Sequence, residues 1–597
     1  RSEGWGDFIN SVDSWAWQNF VSGYVRLIPN ASPKTVDEKF PALIETYAGD
    51  VLRGAGMKKE LNLQPLNDIH LYSEFNDGFQ FDTNGNITYV YILASIGIFI
   101  LLIACINFMN LTTAKAAQRA GEVGVRKSLG ASRQNLIGQF LGESFTIVIV
   151  SMLISGAIIM LALPFFNQVT HKELSLNGNT AAYVALSLLV ISIVTGFVAG
   201  SYPAFFLSSF QPAKVLKDKR LSGGSQWLRK SLVVFQFIVS IALISAILII
   251  QKQLDFIQNK SLGFNPEQNI VIPMRTSEAR SSYLQLKNSI QQIAGVSQVS
   301  ATTSLPSTPL LRDYGVYQQG SSPDNSILHR MIHTDENYFD LLNIKLIAGR
   351  DFDDQRDQFS AEDETINVVV NEASLKEYGL TPTEAVGSLL LSNFNDKIQH
   401  HRIIGVVEDF HQFSLHDKIV PIMFKVPASK ENFIFITMSV ETANYENIIS
   451  QLENNWKAQV PTTPFESTFL SDNVNKQYEE DRRISSIMTG FTVIAIIISC
   501  MGLYGLSVYM AERRVKEIGI RKVLGASVTG IVSLLTTDFL KLILIAFVIA
   551  APLGYYVMDQ WLQSFAYQTT LGVFVFILAG IVSFAIAWIT VGFESFR

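Results

Sequence analysis

Residues 121–132 read GEVGVRKSLGAS, and residues 516–527 read KEIGIRKVLGAS. The acidic residue, the glycine two positions after it, the Arg-Lys pair and the final Gly-Ala-Ser coincide across an offset of 395 positions. The agreement extends outward, because Cys105 matches Cys500 and Arg119 matches Arg514 at the same offset. Chance similarity between apolar helices would not keep charges and glycines in register, so the chain contains an internal duplication.

Composition indicates a membrane protein with a sizeable part outside the bilayer. Of the 597 residues, 48% are hydrophobic and only 16% are charged, whereas soluble chains carry about 25% charged residues. A net charge of -6 does not favour nucleic acid as a partner. The two cysteines lie inside apolar runs and do not make a disulfide framework, so they do not indicate a redox compartment.

Seven apolar runs are long enough to cross a bilayer as helices, which takes about 20 residues each. Lys and Arg cluster in the loops after the first, third and fifth runs, and the other short loops carry almost none. Basic loops stay in the cytoplasm, so the C-terminus is expected inside. None of the runs has a charge near its middle. They are 89–110, 144–166, 182–208, 229–250, 485–509, 540–558 and 571–593.

The ranges 121–130 and 516–525, called here the twin segments, each predict a short amphipathic helix at the cytoplasmic surface. Glu122 precedes Arg126 by one helical turn, and Glu517 precedes Arg521 in the same way, which is the favourable order for an ion pair. One such helix could simply rest on lipid headgroups. Two matched copies favour docking to a partner with two-fold symmetry, which presents the same patch twice.

The ends and apolar sides of these helices are also predictable. Gly130 and Gly525 suit the left-handed position that ends a helix, and Ser132 and Ser527 can cap the helix that follows. An apolar side is expected from two matched sets, Val123, Val125 and Leu129 in the first segment and Ile518, Ile520 and Leu524 in the second.

The string E-x-G-x-R-K-x-x-G-A-S after an outside-to-inside span resembles the FtsX/MacB family of ABC-transporter permeases. SYPAFFLSSFQPAKVLK (201–217) resembles the end of that family's fourth helix, and LRKSLVVFQFIVSIAL (228–243) resembles the helix that opens its second half. Three further stretches resemble the MacB-like periplasmic core, namely ENYFDLLNIKLIAGRDF (336–352), INVVVNEASLKEYGL (366–380) and RIIGVVEDFHQFSLHDKIVPIMF (402–424).

The expected fold is a membrane α-helical bundle with α/β extracytoplasmic domains, arranged as two tandem halves. Relative to the second half, the first lacks the front of its outside domain and the span before it, so an intact protein is expected to have an eighth span. The parts are 1–88, the end of a first MacB-like domain; 89–227, three spans with the segment 121–130; 228–250, the span opening the second half; 251–484, a second MacB-like domain; and 485–597, three spans with the segment 516–525.

The resemblance implies a permease subunit that works with two copies of a cytoplasmic ABC ATP-binding subunit. The chain has no G-x-x-x-x-G-K-[ST] loop, so it is not expected to be an enzyme or to hold a cofactor, and ATP and Mg belong to the partner. The residues expected on that partner are Glu122, Val123, Gly124, Arg126, Lys127, Gly130 and Ser132, with Glu517, Ile518, Gly519, Arg521, Lys522, Gly525 and Ser527.

The expected location is the bacterial cytoplasmic membrane, with the large domains on the outer or periplasmic side. Two functions remain open: export or extraction of an antimicrobial peptide, macrolide or lipoprotein, and mechanical regulation of a periplasmic partner such as a cell-wall hydrolase. A ligand-binding receptor without an ATPase is disfavoured by the twin segments. A further periplasmic or outer-membrane partner is left open.

Three polar residues lie near or within the spans. Glu143 and Asp538 hold matching positions after the capping serines, where anchoring at the membrane surface is favoured over a direct coupling role. Gln236 lies in the fourth span, where a helix–helix hydrogen bond is favoured over transport. The outside domain offers no Cys or carboxylate at zinc spacing to its histidines, so neither a metal site nor a catalytic site is expected.

Overall fold

A computed structural model of the chain describes residues 23–54, 58–73, 85, 87–170, 172–209, 224–308, 313–357, 365–394, 397–441, 444–513, 515–525 and 527–596. The chain divides into two compact units. Unit 1 comprises Arg1–Ile87, Asn259–Glu479 and Phe565–Tyr567, and unit 2 comprises Thr88–Gln258, Glu480–Ser564 and Gln568–Arg597.

The helices range from single turns to spans of more than 30 residues. In chain order they are α1 (Pro33–Asp37), α2 (Phe40–Gly54), α3 (Ile69–Tyr72), α4 (Ile87–Ser128), α5 (Arg133–Thr170), α6 (Gly178–Ser208), α7 (Gly224–Asn259), α8 (Ser277–Ser281), α9 (Tyr283–Gln291), α10 (Tyr338–Leu341), α11 (Asp354–Asp357), α12 (Glu372–Tyr378), α13 (Pro382–Ala385), α14 (Tyr445–Gln459), α15 (Leu470–Lys476), α16 (Glu479–Arg513), α17 (Val515–Val523), α18 (Val528–Leu562) and α19 (Val573–Phe596). Short 3-10 turns occupy Leu66–Asp68, Pro323–Asn325 and Lys430–Asn432.

The strands all lie in unit 1. They are β1 (Asn269–Pro273), β2 (Val296–Thr302), β3 (Asp313–Gln318), β4 (Ile327–His333), β5 (Leu346–Gly349), β6 (Thr365–Asn371), β7 (Leu389–Phe394), β8 (Lys397–Val407), β9 (Ile422–Lys425), β10 (Phe435–Val440) and β11 (Thr468–Phe469). The runs NIVIPM, INVVV, RIIGVV and FIFITMSV, which the sequence predicts to be strands, overlap β1, β6, β8 and β10.

Unit 2 is a helical bundle. Among the described residues, seven of its helices are long and apolar enough to cross a membrane, and they correspond to the seven runs predicted from sequence. In α7, 67% of the most apolar stretch is buried, against 0% in α5 and 6% in α6. Helix α7 is therefore central, and α5 and α6 turn most of their apolar surface outward, as lipid-facing helices do.

Helices α4 and α16, which correspond to each other in the two halves, cross at very short range. A Cβ built on Gly502 would lie 1.9 Å from Asn107 Oδ1, and one on Gly505 would lie 2.2 Å from Leu111 Cδ2. Asn107 is held in place, because its Nδ2 donates to the Ile498 carbonyl at 2.6 Å. At the 395-residue offset Asn107 corresponds to Gly502. The two halves therefore differ at the crossing: α4 carries the Asn107 side chain, and the glycine of α16 leaves the space that it fills.

Gly502→Leu is expected to destabilise unit 2 by about 1–3 kcal/mol, because a larger side chain must displace the hydrogen-bonded Asn107 in a packed interface. Gly490→Leu on the same helix is the matched control, since nothing lies within 4 Å of a Cβ at Gly490. Thermal unfolding of both variants in detergent measures the difference. Equal loss in the two variants would show that the crossing does not depend on the glycine.

Unit 1 contains two sheets. The four-stranded sheet has the order β11-β1-β10-β2, and all its pairings are antiparallel. Helices α9 and α14 contribute Tyr283, Leu286, Leu452 and Trp456 to the buried cluster on this sheet. The predicted α/β fold of the outside domain is confirmed in unit 1.

The second sheet closes into a barrel. Its order is β5-β8-β6-β9-β4-β3-β7, and β7 also pairs with β8, so six strands form a ring with β5 attached to its side. One buried cluster takes a residue from every strand of the ring, which places it inside; these residues are Val316, Met331, Val368, Leu390, Ile403 and Met423. His329 and His401 lie two positions from Met331 and Ile403, and therefore face the same interior.

Candidate functional site

The first twin segment continues the first span. Residues 121–128 are the last two turns of α4, which continues without interruption from the first span, so no separate short helix forms there. In the second copy α17 covers most of the segment. The prediction of a short separate helix is therefore wrong for the first copy.

The predicted ion pairs form in both copies. Arg126 Nη2 lies 2.8 Å from Glu122 Oε1, and Arg521 Nη2 lies 2.9 Å from Glu517 Oε1. All four side chains are close to half exposed, so each pair is worth only about 0.3–0.5 kcal/mol to its helix. Stability alone does not account for a paired charge pattern kept in both halves.

The predicted helix ends also form. Gly130 has φ +97° and Gly525 has φ +91°, both in the left-handed region. The Ala131 amide donates to the Arg126 carbonyl at 3.0 Å, which closes the first turn. Ser132 Oγ then accepts from the Asn135 amide at 3.2 Å and caps α5, and Ser527 stands directly before α18.

The apolar residues of the segments do not share one side, contrary to the sequence prediction. Val123 is 1% exposed and packs with Leu136, Phe140 and Leu207, whereas Val125 lies about 200° further round the helix and points outward. The side chain of Ile518, the counterpart of Val123, lies outside the described residues.

The outward apolar residues form a matched pair in each copy. Val125 and Leu129 are 52% and 82% exposed, and Ile520 and Leu524, at the same repeat positions, are 63% and 80% exposed. Each pair is one helical turn apart and so lies on one face. Each of the two equivalent helices therefore exposes two large apolar side chains on one face.

The two segments differ in how their own half holds them. Lys127 Nζ donates to the Ser208 carbonyl at 2.6 Å, which ties the first segment to the end of α6, and Gly124 is buried. In the second copy Gly519 and Lys522 are exposed. The described contacts thus tie the first segment to its bundle at Lys127, whereas the matching Lys522 of the second segment is exposed.

Glu143 is connected to the first twin segment through a residue that sequence reasoning missed. Arg126 Nη1 donates to Gln139 Oε1 at 2.6 Å, and Gln139 Nε2 donates to Glu143 Oε1 at 3.3 Å. The offset places Leu534 opposite Gln139, so the duplication gave no signal for it. The side chain of Asp538 lies outside the described residues.

Gln236 makes a helix–helix hydrogen bond, as favoured from the sequence. Its Nε2 donates to the Ser499 carbonyl at 2.9 Å, joining α7 to α16. Ser240 and Ser499 add a second buried bond at 3.0 Å between their hydroxyls. These bonds join α7 to α16 in the interior of the bundle.

The histidines of unit 1 do not assemble a metal site in the part of the chain that the structure describes. His329 and His401 are fully buried in the barrel. Burial lowers the pKa of His329 to about 4 and, together with the nearby Lys425, that of His401 to about 3. Ser392 Oγ lies 2.8 Å from His401 Nε2. The positive charge of Lys425 disfavours a cation beside these rings.

Two family models match the chain. The FtsX-like permease C-terminal model matches residues 94–212 and again 489–596, one match in each half. The MacB-like periplasmic core domain model matches residues 233–455. The repeated match follows the duplication, and each copy of it contains one twin segment.

Curated relatives resemble only part of the chain. Two proteins called macrolide export ATP-binding/permease protein MacB, from Bdellovibrio bacteriovorus and Bradyrhizobium diazoefficiens, are each 32% identical over 127 and 136 residues. These matches cover 21% and 22% of this chain and 19% of each relative. An uncharacterized ABC transporter permease, YknZ of Bacillus subtilis, is 26% identical over 21% of this chain and 31% of its own. The chain thus spans about a fifth to a third of the length of these relatives.

Proposed function

Because the chain is an FtsX/MacB-type ABC transporter permease, we propose that it couples ATP hydrolysis by a separate cytoplasmic ATP-binding subunit to movements of unit 1. The work would be export or extraction of a substrate at the outer face of the bacterial cytoplasmic membrane. The observation that carries the proposal is the matched exposed pair on each twin segment, Val125 with Leu129 and Ile520 with Leu524, next to its Glu–Arg ion pair.

Two copies of the ATP-binding subunit fit these surfaces. A two-fold dimer presents one patch twice, and the chain offers two equivalent patches, each with a central apolar pair and charges at its edge. That arrangement is typical of a protein interface, where an apolar centre is ringed by polar groups. ATP and Mg would then bind to the partner, and this chain would hold neither.

A mechanical role is supported by the composition of the spans. None of the seven apolar runs has a charged residue near its middle, and ion or proton pathways are marked by such residues. Rigid helices that pass motion from the twin segments to unit 1 need no ionisable groups. A substrate of the macrolide, antimicrobial peptide or lipoprotein class is proposed from the resemblance and from the names of the relatives; regulation of a cell-wall hydrolase would use the same motor.

Co-purification of the chain with the ATP-binding subunit, followed by an ATPase assay in lipid nanodiscs, tests the proposal. We expect a complex with two ATP-binding subunits per chain and faster hydrolysis in the complex than in the isolated subunit. Mass photometry of the purified complex gives the copy number. A chain that neither binds the subunit nor changes its hydrolysis rate would overturn the proposed function.

A further inference from the structure

Three helices of unit 2 enclose a small cavity in the second half of the bundle. Its volume is about 20 Å³. Each helix contributes one serine to its lining, Ser240 from α7, Ser499 from α16 and Ser583 from α19. These serines are 4%, 6% and 3% exposed. Apolar side chains such as Phe237 and Leu503 complete the wall, so the cavity is polar only at its serines.

The cavity lies deep in the membrane-spanning part of the chain. Ser583 stands about halfway along the 20-residue span Val573–Gly592, which places about 15 Å of helix between it and either end. Bulk water and lipid headgroups do not reach that depth. A hydroxyl buried there without a hydrogen bond is costly, so each serine needs a partner inside the bundle.

The Ser583 hydroxyl has no hydrogen-bond partner among the described residues. Other hydroxyls of unit 2 donate to the carbonyl four residues earlier, as Thr590 does to Ile586 on the same helix at 2.8 Å. Thr492 does the same to Met488 on α16, also at 2.8 Å. Ser583 departs from this local bond and lines the cavity instead.

The other two serines leave a hydrogen to donate. The hydroxyl oxygens of Ser240 and Ser499 lie 3.0 Å apart, and either can be the donor of the bond between them. That bond uses one of the two hydroxyl hydrogens, and each oxygen can accept two further bonds. The serine pair and Ser583 therefore face one small cavity with donors and acceptors to spare.

A single water molecule fits the cavity both in size and in chemistry. A water needs roughly 10–15 Å³ of such space and typically makes about three hydrogen bonds. The cavity has about 20 Å³ and three serine hydroxyls. An apolar guest of the same size would leave Ser583 unsatisfied, and a larger ligand would not fit.

We propose that this cavity binds one structural water, which joins Ser583 of α19 to the Ser240–Ser499 pair of α7 and α16 by hydrogen bonds. The site belongs to the second half alone, because the residues that match Ser499 and Ser583 at the 395-residue offset are Ala104 and Leu188. A water changes partners as its neighbours shift, so it links the three helices without fixing their spacing. The inference goes beyond the proposed function and does not rest on it.

Radiolytic labelling of the full chain in nanodiscs prepared in H₂¹⁸O tests the site, because hydroxyl radicals formed from a bound water oxidise the side chains beside it. Cys500 lines the cavity, whereas its buried counterpart Cys105 does not. In the wild type we expect more ¹⁸O at Cys500 than at Cys105. Ser583→Val fills the cavity with methyl groups and should lower the labelling of Cys500 to the level of Cys105.

Ser245→Ala is the matched control for the labelling. The Ser245 hydroxyl is also buried on α7 and has no partner among the described residues, but it does not line the cavity. We expect this variant to keep the wild-type labelling of Cys500.

A double-mutant cycle measures the link itself. Ser583 makes no direct hydrogen bond to Ser240 among the described contacts, so coupling between these hydroxyls requires the water. Equilibrium unfolding in mixed micelles compares Ser583→Ala, Ser240→Ala and the double variant. We expect the unfolding constant of the double variant to differ about fivefold from the product of the two single effects. Ser583→Ala with Ser245→Ala should show independent effects.

Labelling of Cys500 no higher than that of Cys105 in the wild type would overturn the water site. A folded Ser583→Val variant with wild-type labelling would also overturn it, as would independent effects of Ser583→Ala and Ser240→Ala. Ala587→Val fills the cavity from the next turn of α19 and replaces Ser583→Val if that variant does not fold. None of these measurements involves the ATP-binding subunit, so their failure is distinct from failure of the proposed function.

Discussion

Replacing Asp335 by alanine is expected to destabilise unit 1 by about 3–5 kcal/mol, because it removes the buried carboxylate that both Lys287 and Lys430 contact. The Asp335 carboxylate is 1% exposed. Lys287 Nζ lies 2.7 Å from Oδ2 and Lys430 Nζ lies 3.4 Å from Oδ1, while the Tyr283 hydroxyl and the Glu336 amide also donate to it. Burial raises the pKa of Asp335, but the two lysines outweigh it and hold that pKa below 3.8.

This carboxylate joins parts of unit 1 that are distant in sequence. Tyr283 and Lys287 come from α9 on the four-stranded sheet, and Asp335 follows β4 of the barrel. Differential scanning calorimetry of the full chain in detergent should show the unit 1 transition about 10 °C lower in Asp335→Ala. Peptide-level hydrogen exchange assigns the transition to unit 1.

Two further experiments serve as controls for Asp335→Ala. Asp335→Leu with Lys287→Met removes the closest pair of charges together and should recover part of the loss, since apolar replacement of a buried pair is often neutral, while Lys430 still loses its contact with Asp335. Glu466→Ala breaks the exposed pair with Arg275 and should cost less than about 1 kcal/mol. A loss for Asp335→Ala no larger than that for Glu466→Ala would refute the role of the buried charge.

Unit 1 is also expected to lose stability in mild acid. His329 and His401 have pKa values of about 4 and about 3 in the folded chain, lowered from 6.5 by burial first. Below pH 6.5 the unfolded chain takes up protons that the folded barrel refuses, so stability falls as the pH falls. Between pH 8 and pH 5 each ring contributes a loss of about 2 kcal/mol.

Two other groups of unit 1 modify this pH dependence. His411, whose pKa burial and Lys260 lower to about 4, adds a loss of similar size. Asp351, whose pKa burial raises to about 6, works the other way, because its folded form binds a proton that the unfolded form does not, and offsets about 1 kcal/mol at pH 5.

Hydrogen exchange of β8 at pH 7.5 and pH 5, corrected for intrinsic rates, measures the acid effect. The two barrel histidines alone predict roughly a 1,000-fold loss of protection at pH 5. The double variant His329→Gln, His401→Gln should lose most of that dependence, and His70→Gln, at an exposed position, should keep it. An unchanged pH dependence in the double variant would rule out these two rings as its source.

The features that the sequence predicted best are those set by the membrane environment and by local backbone geometry. The seven spans were recognisable because lipid requires about 20 apolar residues in a row, and the structure has helices at each of them. The turns after the twin segments were predictable because few residues other than glycine adopt the left-handed conformation. The Glu–Arg pairs followed from helical spacing alone.

What the sequence did not reveal depends on contacts between distant segments. Pairing of β7 with β8 and of β4 with β9 closes the barrel, and no local pattern encodes which strands pair. Val123 turns inward because α5 and α6 lie beneath it.

Charge exchange on the twin segments is the most direct test of whether the ATP-binding subunit docks there. The variant Glu122→Lys, Glu517→Lys should lose about tenfold or more in stimulation of the ATP-binding subunit, since like charge at an interface costs more than 1.4 kcal/mol. The exchanged variant, which adds Arg126→Glu and Arg521→Glu, keeps an ion pair on each helix but reverses the pattern seen by a partner. It serves as the control for helix stability.

We expect both variants to fold as the wild type does, and we expect neither to bind or stimulate the ATP-binding subunit normally in nanodiscs. Restored stimulation in the exchanged variant would mean that the ion pairs serve only the helices. Wild-type binding and stimulation in Glu122→Lys, Glu517→Lys would contradict the central claim that the twin segments are where this permease meets its ATPase.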